Sequence, residues 1–173
     1  RLGLMLPTTP LHHLLASRAG APLVCTSGNL HEEPIATGDR EAFAQLGDVA
    51  DAFLTHDRPI ARRADDAVVH VVAGRARTLR LGRGLGPTRV RLPRPSPPTL
   101  CTGGHLCNAP AAVSGDVAVL WPHVGDLDTP SARRAFEESV ATMSRFLDIE
   151  PERVACDLHP DYATSRWAES TGK

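Results

Sequence analysis

Aromatic residues and long apolar runs are both scarce in this chain. Aromatic side chains make up 4% of the 173 residues, so a buried core must be built mainly from Leu, Val and Ala. No apolar stretch approaches the roughly 18 residues that a membrane-spanning helix needs, and no signal peptide is recognisable. With 42% apolar and 23% charged residues, the composition is that of a globular protein, which we expect to be soluble and cytoplasmic.

Paired cysteines are absent as well. The four cysteines, Cys25, Cys101, Cys107 and Cys156, form no CxxC motif. This spacing argues against a disulfide framework and gives little support to a zinc site. We therefore expect the four thiols to belong to small, buried, apolar side chains.

Lysine is nearly missing, since Lys173 is the single lysine beside eighteen arginines. The net charge of −1 favours neither nucleic acid nor a membrane surface as a partner. The charge is unevenly spread: residues 1–92 hold twelve Arg and nine acidic residues, whereas residues 93–173 hold seven basic and eleven acidic residues. The first half is therefore better suited to an anionic ligand, because guanidinium groups bind phosphate in a bidentate geometry.

Capping and turn residues divide the chain into elements. Thr9-Pro10 and Thr129-Pro130 predict helix starts with proline in the first turn, and Asp39 predicts a third helix that ends near Leu46. Hairpin turns are predicted at residues 73–75 and near residues 114–116. Strands are predicted over residues 22–26, 51–55, 67–72, 76–81, 99–102, 117–121 and 153–157.

Proline marks a boundary in the middle of the chain. Residues 87–98 contain five prolines and few apolar residues, which is the composition of a linker. We predict a first domain over residues 1–90, a linker at 91–98 and a second domain over 99–173. The mixture of helices and strands in both parts is that of an α/β or α+β protein.

Small polar residues follow the strand predicted at residues 22–26. Ser27 and Asn29 offer a hydroxyl and an amide group, and Gly28 between them lets the backbone approach a ligand closely. Ligands of open α/β sheets bind at the carboxyl ends of strands, where this turn is expected to lie. The turn is therefore a candidate ligand site, with an ordinary loop as the alternative.

A dense charged stretch, residues 58–66, is the second candidate. Arg58 and Arg62 could neutralise phosphate, and Asp65 could orient a guanidinium group or hold magnesium. A solvated surface loop with ordinary ion pairs is the alternative. Arg83 lies in a Gly-rich stretch that could clamp an anion, although the Walker pattern is absent.

Three further clusters lie in the second half. The pair Gly103-Gly104 falls in an apparent hairpin turn, which could present backbone N–H groups to phosphate or could only reverse the chain. His123 and Asp126 follow one predicted strand, and Asp157 and His159 follow another. Acid and imidazole groups at strand ends could bind a metal or transfer protons, although each cluster alone is more often structural.

Taken in order, these motifs resemble one family. The strings LPTTPLHHLL, TSGNLHEEPIATG, DAFLTHDRPIARRADDAVV and LRLGRGLGP look like the YrdC-type domain of the hydrogenase-maturation carbamoyltransferases, the HypF family. The strings GGHLCN, PHVGDLDTP and CDLHPDYATSRWAE look like the start of the carbamoyl-transfer domain that follows it. The resemblance covers nearly the whole chain and keeps the domain order of the family, which antibiotic-pathway carbamoyltransferases reverse.

The resemblance implies a fold and an activity. The fold would be a partial YrdC-like twisted sheet with helices, followed by part of an actin/hexokinase-like ATPase domain. The enzyme would use carbamoyl phosphate and ATP, with Mg²⁺, to form carbamoyl-adenylate. It would then pass the carbamoyl group to the C-terminal cysteine thiolate of a HypE-like acceptor protein, which yields the cyanide ligand of nickel–iron hydrogenase.

The resemblance also implies roles for residues already singled out. The adenylate pocket would be lined by Ser27, Asn29, Arg58, Arg62, Asp65 and Arg83. The first phosphate loop of the transfer domain would contain Gly103, Gly104 and Asn108. The transfer site could include His123, Asp126, Asp157 and His159.

The chain departs from the family pattern in three respects. It contains neither the acylphosphatase-like domain and CxxC zinc motifs that open such enzymes nor the basic residues that begin a YrdC-like site. It also lacks the His-rich metal motif of the transfer domain, so zinc or iron would belong to other parts of such an enzyme. His105 and Cys107 stand where the family usually has Glu and Lys. We therefore expect that this chain alone does not complete carbamoyl transfer.

Two other functions stay open. One is a nucleotide- or RNA-binding module, because free-standing YrdC-like proteins act in tRNA threonylcarbamoyl-adenosine synthesis. The block that begins at Gly103 argues against it, since those proteins lack such a block, and we expect no nucleic-acid partner. The other is an inert remnant, which the altered Cys107 would fit.

Overall fold

The computed structural model describes residues 3–172, which form four helices and two separate sheets. The helices are α1 (Pro10–Ala19), α2 (Asp39–Leu46), α3 (Pro130–Leu147) and α4 (Ala163–Thr171). The strands are β1 (Val68–Val72), β2 (Arg75–Arg80), β3 (Thr88–Cys101), β4 (Ala111–Leu120) and β5 (Arg153–Ala155). No helix among these residues has the length and apolarity needed to cross a membrane.

Residues 3–87 contain a single β-hairpin and two helices, and β3 begins at Thr88. β1 pairs antiparallel with β2 through the two-residue turn Ala73-Gly74, where both residues have positive φ, as tight hairpin turns require. The predicted hairpin is thereby confirmed. The strands predicted at residues 22–26 and 51–55 are wrong, because these segments have no strand partner among the described residues and an isolated extended segment forms no sheet.

The second half contains the hydrophobic core. β3 lies between β4, to which it is antiparallel, and β5, to which it is parallel. α3 packs on this sheet with its buried stripe of Phe136, Val140 and Met143, which contact the cluster around Leu100 of β3. The start of α3 is as predicted: the Thr129 side chain accepts a hydrogen bond from the Ala132 N–H at 3.2 Å.

The segment predicted as a linker, residues 91–98, is part of β3. Arg91 pairs with Val117, but the next paired residue of β3 is Ser96, opposite Gly115. Four residues of β3 therefore face a single residue of β4, and the two prolines among them cannot donate a ladder hydrogen bond. The prolines consequently interrupt the pairing within one strand instead of ending it.

The turn between β3 and β4 lies elsewhere than predicted. Residues 114–116 are inside β4, where Gly115 has a φ of +59°. The chain instead reverses over residues 102–110, which include the Gly103-Gly104 pair. The predicted turn at residues 114–116 is therefore wrong, because residues 99–101 pair with residues 111–113, whereas residues 117–120 pair with residues 88–91. The expectation that Gly103-Gly104 lies where the chain reverses is confirmed.

Candidate functional site

A cleft of about 1010 Å³ lies between the two halves of the chain. Ligand sites are common at such junctions because two surfaces can supply polar groups to one ligand. Seven of the residues predicted from sequence line it: Ser27, Asn29, Arg62, Asp65 and Arg83 from the first half, and His123 and Asp126 from the second. Residues predicted for two separate sites thus share one cavity.

The Ser27–Asn29 turn forms one wall of the cleft. The Ala36 N–H donates to the Gly28 carbonyl at 3.0 Å and closes the loop that holds the turn. The amide of Asn29 donates to the carbonyls of Leu30 at 3.0 Å and Glu33 at 2.9 Å. Its Oδ1 atom is buried and has no partner among the described residues. A buried acceptor without a partner is costly, so a ligand that donates to Oδ1 would be favoured.

Gly82 allows Arg83 to lie close to Asp65 and Asp66 of the charged stretch, residues 58–66. A side chain at Gly82 would place its Cβ 2.5 Å from the Asp65 carbonyl oxygen, so only glycine permits this approach. The Arg83 N–H donates to the same carbonyl at 2.7 Å, and its guanidinium contacts Asp66 at 2.6 Å. Because the Arg83 side chain is still 64% exposed, part of its guanidinium stays available to an anion in the cleft.

His123 and Asp65 join the two halves of the chain across the cleft. Nδ1 of His123 lies 2.8 Å from Oδ2 of Asp65, with side-chain exposures of 14% and 26%. An ionised carboxylate only accepts hydrogen bonds, so Nδ1 is the donor. The His123 backbone N–H donates to the Leu81 carbonyl at 2.7 Å, which fixes this contact at a second point.

Arg63 lines the cleft and bridges its elements, although the sequence pattern did not single it out. Its guanidinium donates to the Ile35 carbonyl at 3.0 Å, to Glu41 at 2.6 Å and to Glu138 of α3 at 3.0 Å. It therefore connects the turn loop, α2 and the second half. Nothing in the sequence distinguished it from its neighbour Arg62, whose exposed side chain has no described partner.

The Arg63 contacts perturb the acidity of Glu41. Burial raises the pKa of this carboxyl, but hydrogen bonds from the Thr37 N–H and from the Arg63 guanidinium lower it. Together, the contributions that lower the pKa outweigh the effect of burial, so the pKa of Glu41 lies below its ordinary value of 4.5. The carboxylate is thus held in its charged form as a partner of Arg63.

Arg58 is not brought together with the other predicted arginines. It lines a separate pocket of about 350 Å³ beside His56 and Asp57, next to the start of α2. Arg62 and Arg83 line the main cleft instead. Arg62 and Arg83 therefore share one cavity, and Arg58 lines another.

The Gly103–Asn108 loop adjoins the cleft without lining it. Gly103 has a φ of +73°, and a Cβ there would lie 2.7 Å from the Ala109 carbonyl oxygen. The fully buried Asn108 holds the loop, since its amide donates to the carbonyls of Thr102 at 2.9 Å and Gly104 at 2.6 Å. The loop is tied to the cleft because Oδ1 of Asp126 accepts from the Cys107 N–H at 2.6 Å.

Asp157 and His159 lie away from the cleft. The ring of His159 stacks on Tyr162 with centroids 4.3 Å apart, and His105 stacks on Tyr162 at 5.3 Å. Both ring nitrogens of His105 are engaged, Nδ1 by the Ala163 N–H at 3.2 Å and Nε2 by Asp128 at 3.0 Å. These rings anchor the start of α4, and no group of three or more His, Cys, Asp or Glu side chains within residues 3–172 could hold a metal ion.

The expectation of four buried thiols is wrong for three of them. Cys25, Cys107 and Cys156 are exposed, and Cys101 on β3 is partly buried. Burial raises the pKa of the Cys101 thiol. The exposed thiols follow from their positions in loops, which composition could not reveal.

Comparison with known proteins matches each half of the chain to a family. Residues 1–82 match the Sua5/YciO/YrdC family, described as telomere recombination, and residues 94–173 match the HypF Kae1-like domain. The chain is 42% identical over 171 residues to the carbamoyltransferase HypF of Synechocystis sp., and this match covers 98% of the chain. The chain belongs to the HypF family. It is also 44% identical over 168 residues to the HypF of Rhodobacter capsulatus, with 95% of the chain covered.

Solved HypF structures extend the match to the fold. The crystal structure of full-length HypF in the phosphate- and nucleotide-bound form matches 98% of this chain and 27% of that chain, with a TM-score of 0.88 and 37% identity. The structure of T. kodakarensis HypF matches 85% of this chain and 19% of that one, with a TM-score of 0.78 and 30% identity. The fold is thus mixed α/β, a YrdC-like part followed by the start of a Kae1-like, actin/hexokinase-like domain.

The HypF relatives are much longer than this chain. The chain spans 22% of the Synechocystis and Rhodobacter proteins that it matches. It corresponds to the junction of their YrdC-like and Kae1-like domains, and the cleft described above lies at that junction.

Proposed function

We propose that this chain forms part of the nucleotide site of a HypF carbamoyltransferase. The complete enzyme would use carbamoyl phosphate and ATP to form carbamoyl-adenylate, and would then carbamoylate the C-terminal cysteine of a HypE-like protein in hydrogenase maturation. The observation that carries the proposal is the junction cleft. There, Oδ1 of Asn29, which has no hydrogen-bond partner within residues 3–172, shares one cavity with Arg62 and Arg83. The phosphate- and nucleotide-bound form of full-length HypF supports it.

The cleft residues suit adenylate formation. This reaction depends on positioning and on neutralising charge at the phosphates, which Arg62 and Arg83 can provide without changing protonation state. Oδ1 of Asn29 can accept from a carbamoyl or adenine amino group, and the Ser27 hydroxyl can bond to a phosphate or carbonyl oxygen. Each group thus has a role that fits a carbamoyl-adenylate.

The residues present also indicate how magnesium would be held. Two carboxylates of the cleft are already engaged, Asp65 by His123 and Asp66 by Arg83. Mg²⁺ keeps several waters and is commonly bound through substrate phosphates with one or two carboxylates. We therefore expect Mg²⁺ to be bound mainly by the ATP phosphates. Asp126 also lines the cleft and could add its Oδ2, since its Oδ1 already accepts from the Cys107 N–H.

The Gly103–Asn108 loop is proposed as the first phosphate loop of the Kae1-like domain. Its backbone is held by the buried Asn108 and by Asp126, so its N–H groups have fixed directions. Fixed backbone N–H groups in a glycine turn favour anion binding. The loop and the cleft would then hold two neighbouring phosphate positions.

Titration calorimetry with Mg-ATP tests the nucleotide site. We expect the chain to bind Mg-ATP and Arg62→Ala to weaken binding by about tenfold, the effect of one charge-assisted contact. Arg77→Ala is the matched control, because Arg77 is exposed on β2 of the same half and does not line the cleft. Absence of ATP binding by a cooperatively folded chain would favour the inert remnant.

Isotope exchange separates binding from the full reaction. We expect no ATP–pyrophosphate exchange dependent on carbamoyl phosphate from this chain alone, and robust exchange would contradict that expectation. The match of residues 94–173 to the HypF Kae1-like domain favours the carbamoyltransferase over a free-standing RNA-binding module. RNA binding that weakens steeply with salt would reverse this preference.

A further inference from the structure

We propose that His123 and Asp65 form a general-base pair across the cleft, in which Nε2 of His123 removes the proton from the nucleophile that attacks the carbamoyl group. The inference rests on the proposed function and assigns one chemical step of it to residues of two domains. Asp65 belongs to the YrdC-like part and His123 to the Kae1-like part, so the pair exists only where the two parts meet.

The tautomer of His123 follows from its contact with Asp65. The carboxylate accepts from Nδ1 at 2.8 Å, so in the neutral ring Nδ1 carries the proton and Nε2 has the free lone pair. No described residue forms a hydrogen bond with Nε2, and the ring lines the cleft. A carboxylate that orients an imidazole while its other nitrogen faces a reactant is the arrangement that general-base catalysis requires.

Both members of the pair are held by their backbones. The His123 N–H donates to the Leu81 carbonyl at 2.7 Å, and the Asp65 carbonyl accepts from the Arg83 N–H at 2.7 Å. The two side chains are mostly buried, with exposures of 14% and 26%. Nε2 therefore has a fixed direction, and Arg83, one of the proposed phosphate-binding residues, lines the same cleft.

His105 shows that a free imidazole nitrogen is not a general feature of this fold. Its side chain is also 14% exposed, yet Nδ1 accepts from the Ala163 N–H and Nε2 contacts Asp128. His105 has no nitrogen left for a substrate, whereas His123 has one. The two histidines thus form a matched pair for chemical comparison.

The proposed step conserves atoms and charge. The lone pair of Nε2 takes the proton of the acceptor thiol, and the thiolate sulfur attacks the carbamoyl carbon. The bond between that carbon and the phosphate oxygen breaks, AMP leaves with the bonding electrons, and the imidazolium releases its proton to water. In this step His123 is a catalytic residue, and Asp65 is a positioning residue that fixes the tautomer.

Carbethoxylation of the full 173-residue chain by diethyl pyrocarbonate tests the free nitrogen. The reagent attacks an unprotonated imidazole nitrogen, and peptide mass spectrometry reads each histidine separately. We expect His123 to react several times faster than His105, and an equal or slower rate would overturn the assignment. Mg-ATP together with carbamoyl phosphate should slow the carbethoxylation of His123. Fast carbethoxylation that these ligands do not slow would support the His123–Asp65 pair but contradict the proposed nucleotide site.

Activity tests the catalytic step in full-length HypF that contains this sequence, with a HypE acceptor. We expect His123→Gln to lower carbamoyl transfer by about 10²–10⁴-fold, the range of general-base catalysis, and by far more than it lowers ATP–pyrophosphate exchange. Added imidazole should partly restore transfer to His123→Ala, which a purely structural role would not allow. His70→Gln is the control, because His70 is exposed on β1 outside the cleft.

Three results would separate the possible failures. Equal losses of transfer and exchange in His123→Gln would show that His123 only maintains the cleft. If added imidazole does not raise the rate of carbamoyl transfer by His123→Ala, the assignment of His123 as the general base is likewise overturned. Wild-type enzyme that lacks exchange altogether would instead contradict the proposed function.

Discussion

Gly82 determines how the charged stretch meets the Gly-rich stretch that follows β2. The backbone of residues 65–67 passes so close that a Cβ on Gly82 would lie 2.5 Å from the Asp65 carbonyl and 2.6 Å from the Ala67 nitrogen. Both contacts are with backbone atoms, which cannot move aside as a flexible side chain would. The sequence suggested an anion clamp here, but the need for glycine comes from this packing.

Substitution of Gly82 tests that close approach. We expect Gly82→Ala to reduce the free energy of unfolding by about 1–3 kcal/mol, because the added methyl forces the two backbones apart. Gly3→Ala is the control, since a Cβ on Gly3 meets nothing within 4 Å. Denaturant unfolding measures both variants, and equal midpoints for the two would show that the structure places residues 65–67 too close to Gly82.

Glu41 gives the fold a defined response to acid. Its pKa is lower in the folded chain than in the unfolded chain, so it contributes stability above its ordinary pKa of 4.5 that is lost as the pH falls through the folded value. We expect the stability difference between wild type and Glu41→Gln to be largest above pH 4.5 and to shrink in acid. The control is Asp39→Asn, an exposed substitution on the same helix. If the Arg63 contact causes the effect, the stability difference between wild type and Asp39→Asn should not shrink in acid.

Two helices share the same start signal but differ in what they pack against. Thr9 and Thr129 each cap a helix by accepting a backbone hydrogen bond at 3.2 Å, and proline follows each of them. α3 buries five residues, whereas α1 buries none. Local sequence therefore formed both helices, and the tertiary contacts give only α3 a part in the core.

The two caps are expected to differ in their effect on global stability. Thr129→Ala should lower the unfolding free energy by about 1 kcal/mol, because the lost cap weakens a helix of the core. Thr9→Ala should leave the main melting transition nearly unchanged, since α1 can fray without exposing buried side chains. Calorimetric melts of both variants decide this, and equal losses would mean that α1 folds as one unit with the core.

β3 shows that a proline-rich segment can still pair as a strand. Proline usually breaks strands, and the density of proline at residues 91–98 predicted a linker. In the structure the prolines lie largely where β3 departs from the register of β4, so few ladder hydrogen bonds are lost. Pairing on both sides of this irregularity keeps the segment in one strand, which is a long-range effect that composition does not contain.

At the scale of the whole molecule, the hydrophobic core belongs to one half. The buried apolar side chains among the described residues all lie between Leu100 and Ala168. The first half instead exposes large apolar side chains, among them Leu4, Leu23, Val24 and Val71. Since apolar burial is the main source of folding free energy, the second half should dominate the stability of the chain.

Separate halves test this distribution of stability. We expect a chain of residues 88–173 to unfold cooperatively with heat, and a chain of residues 1–87 to show no cooperative transition and to bind a hydrophobic dye. Circular dichroism and dye fluorescence measure the two properties. A sharp melt of residues 1–87 alone would contradict the expectation.

The sequence by itself determined several local elements of this protein and the family that it resembles. Thr-Pro caps fixed two helix starts, the Ala73-Gly74 turn fixed a hairpin, and the motifs resembled the family that comparison confirmed. These features depend on neighbouring residues or on side-chain type, which a sequence displays directly.

Only the tertiary structure decided which chemical groups meet. It joined His123 to Asp65 across 58 positions, gave Arg63 three partners and placed Arg58 in a separate pocket. It also left residues 22–26 without a strand partner. Contacts between distant residues depend on how the two halves pack, and no local pattern of residues encodes that packing.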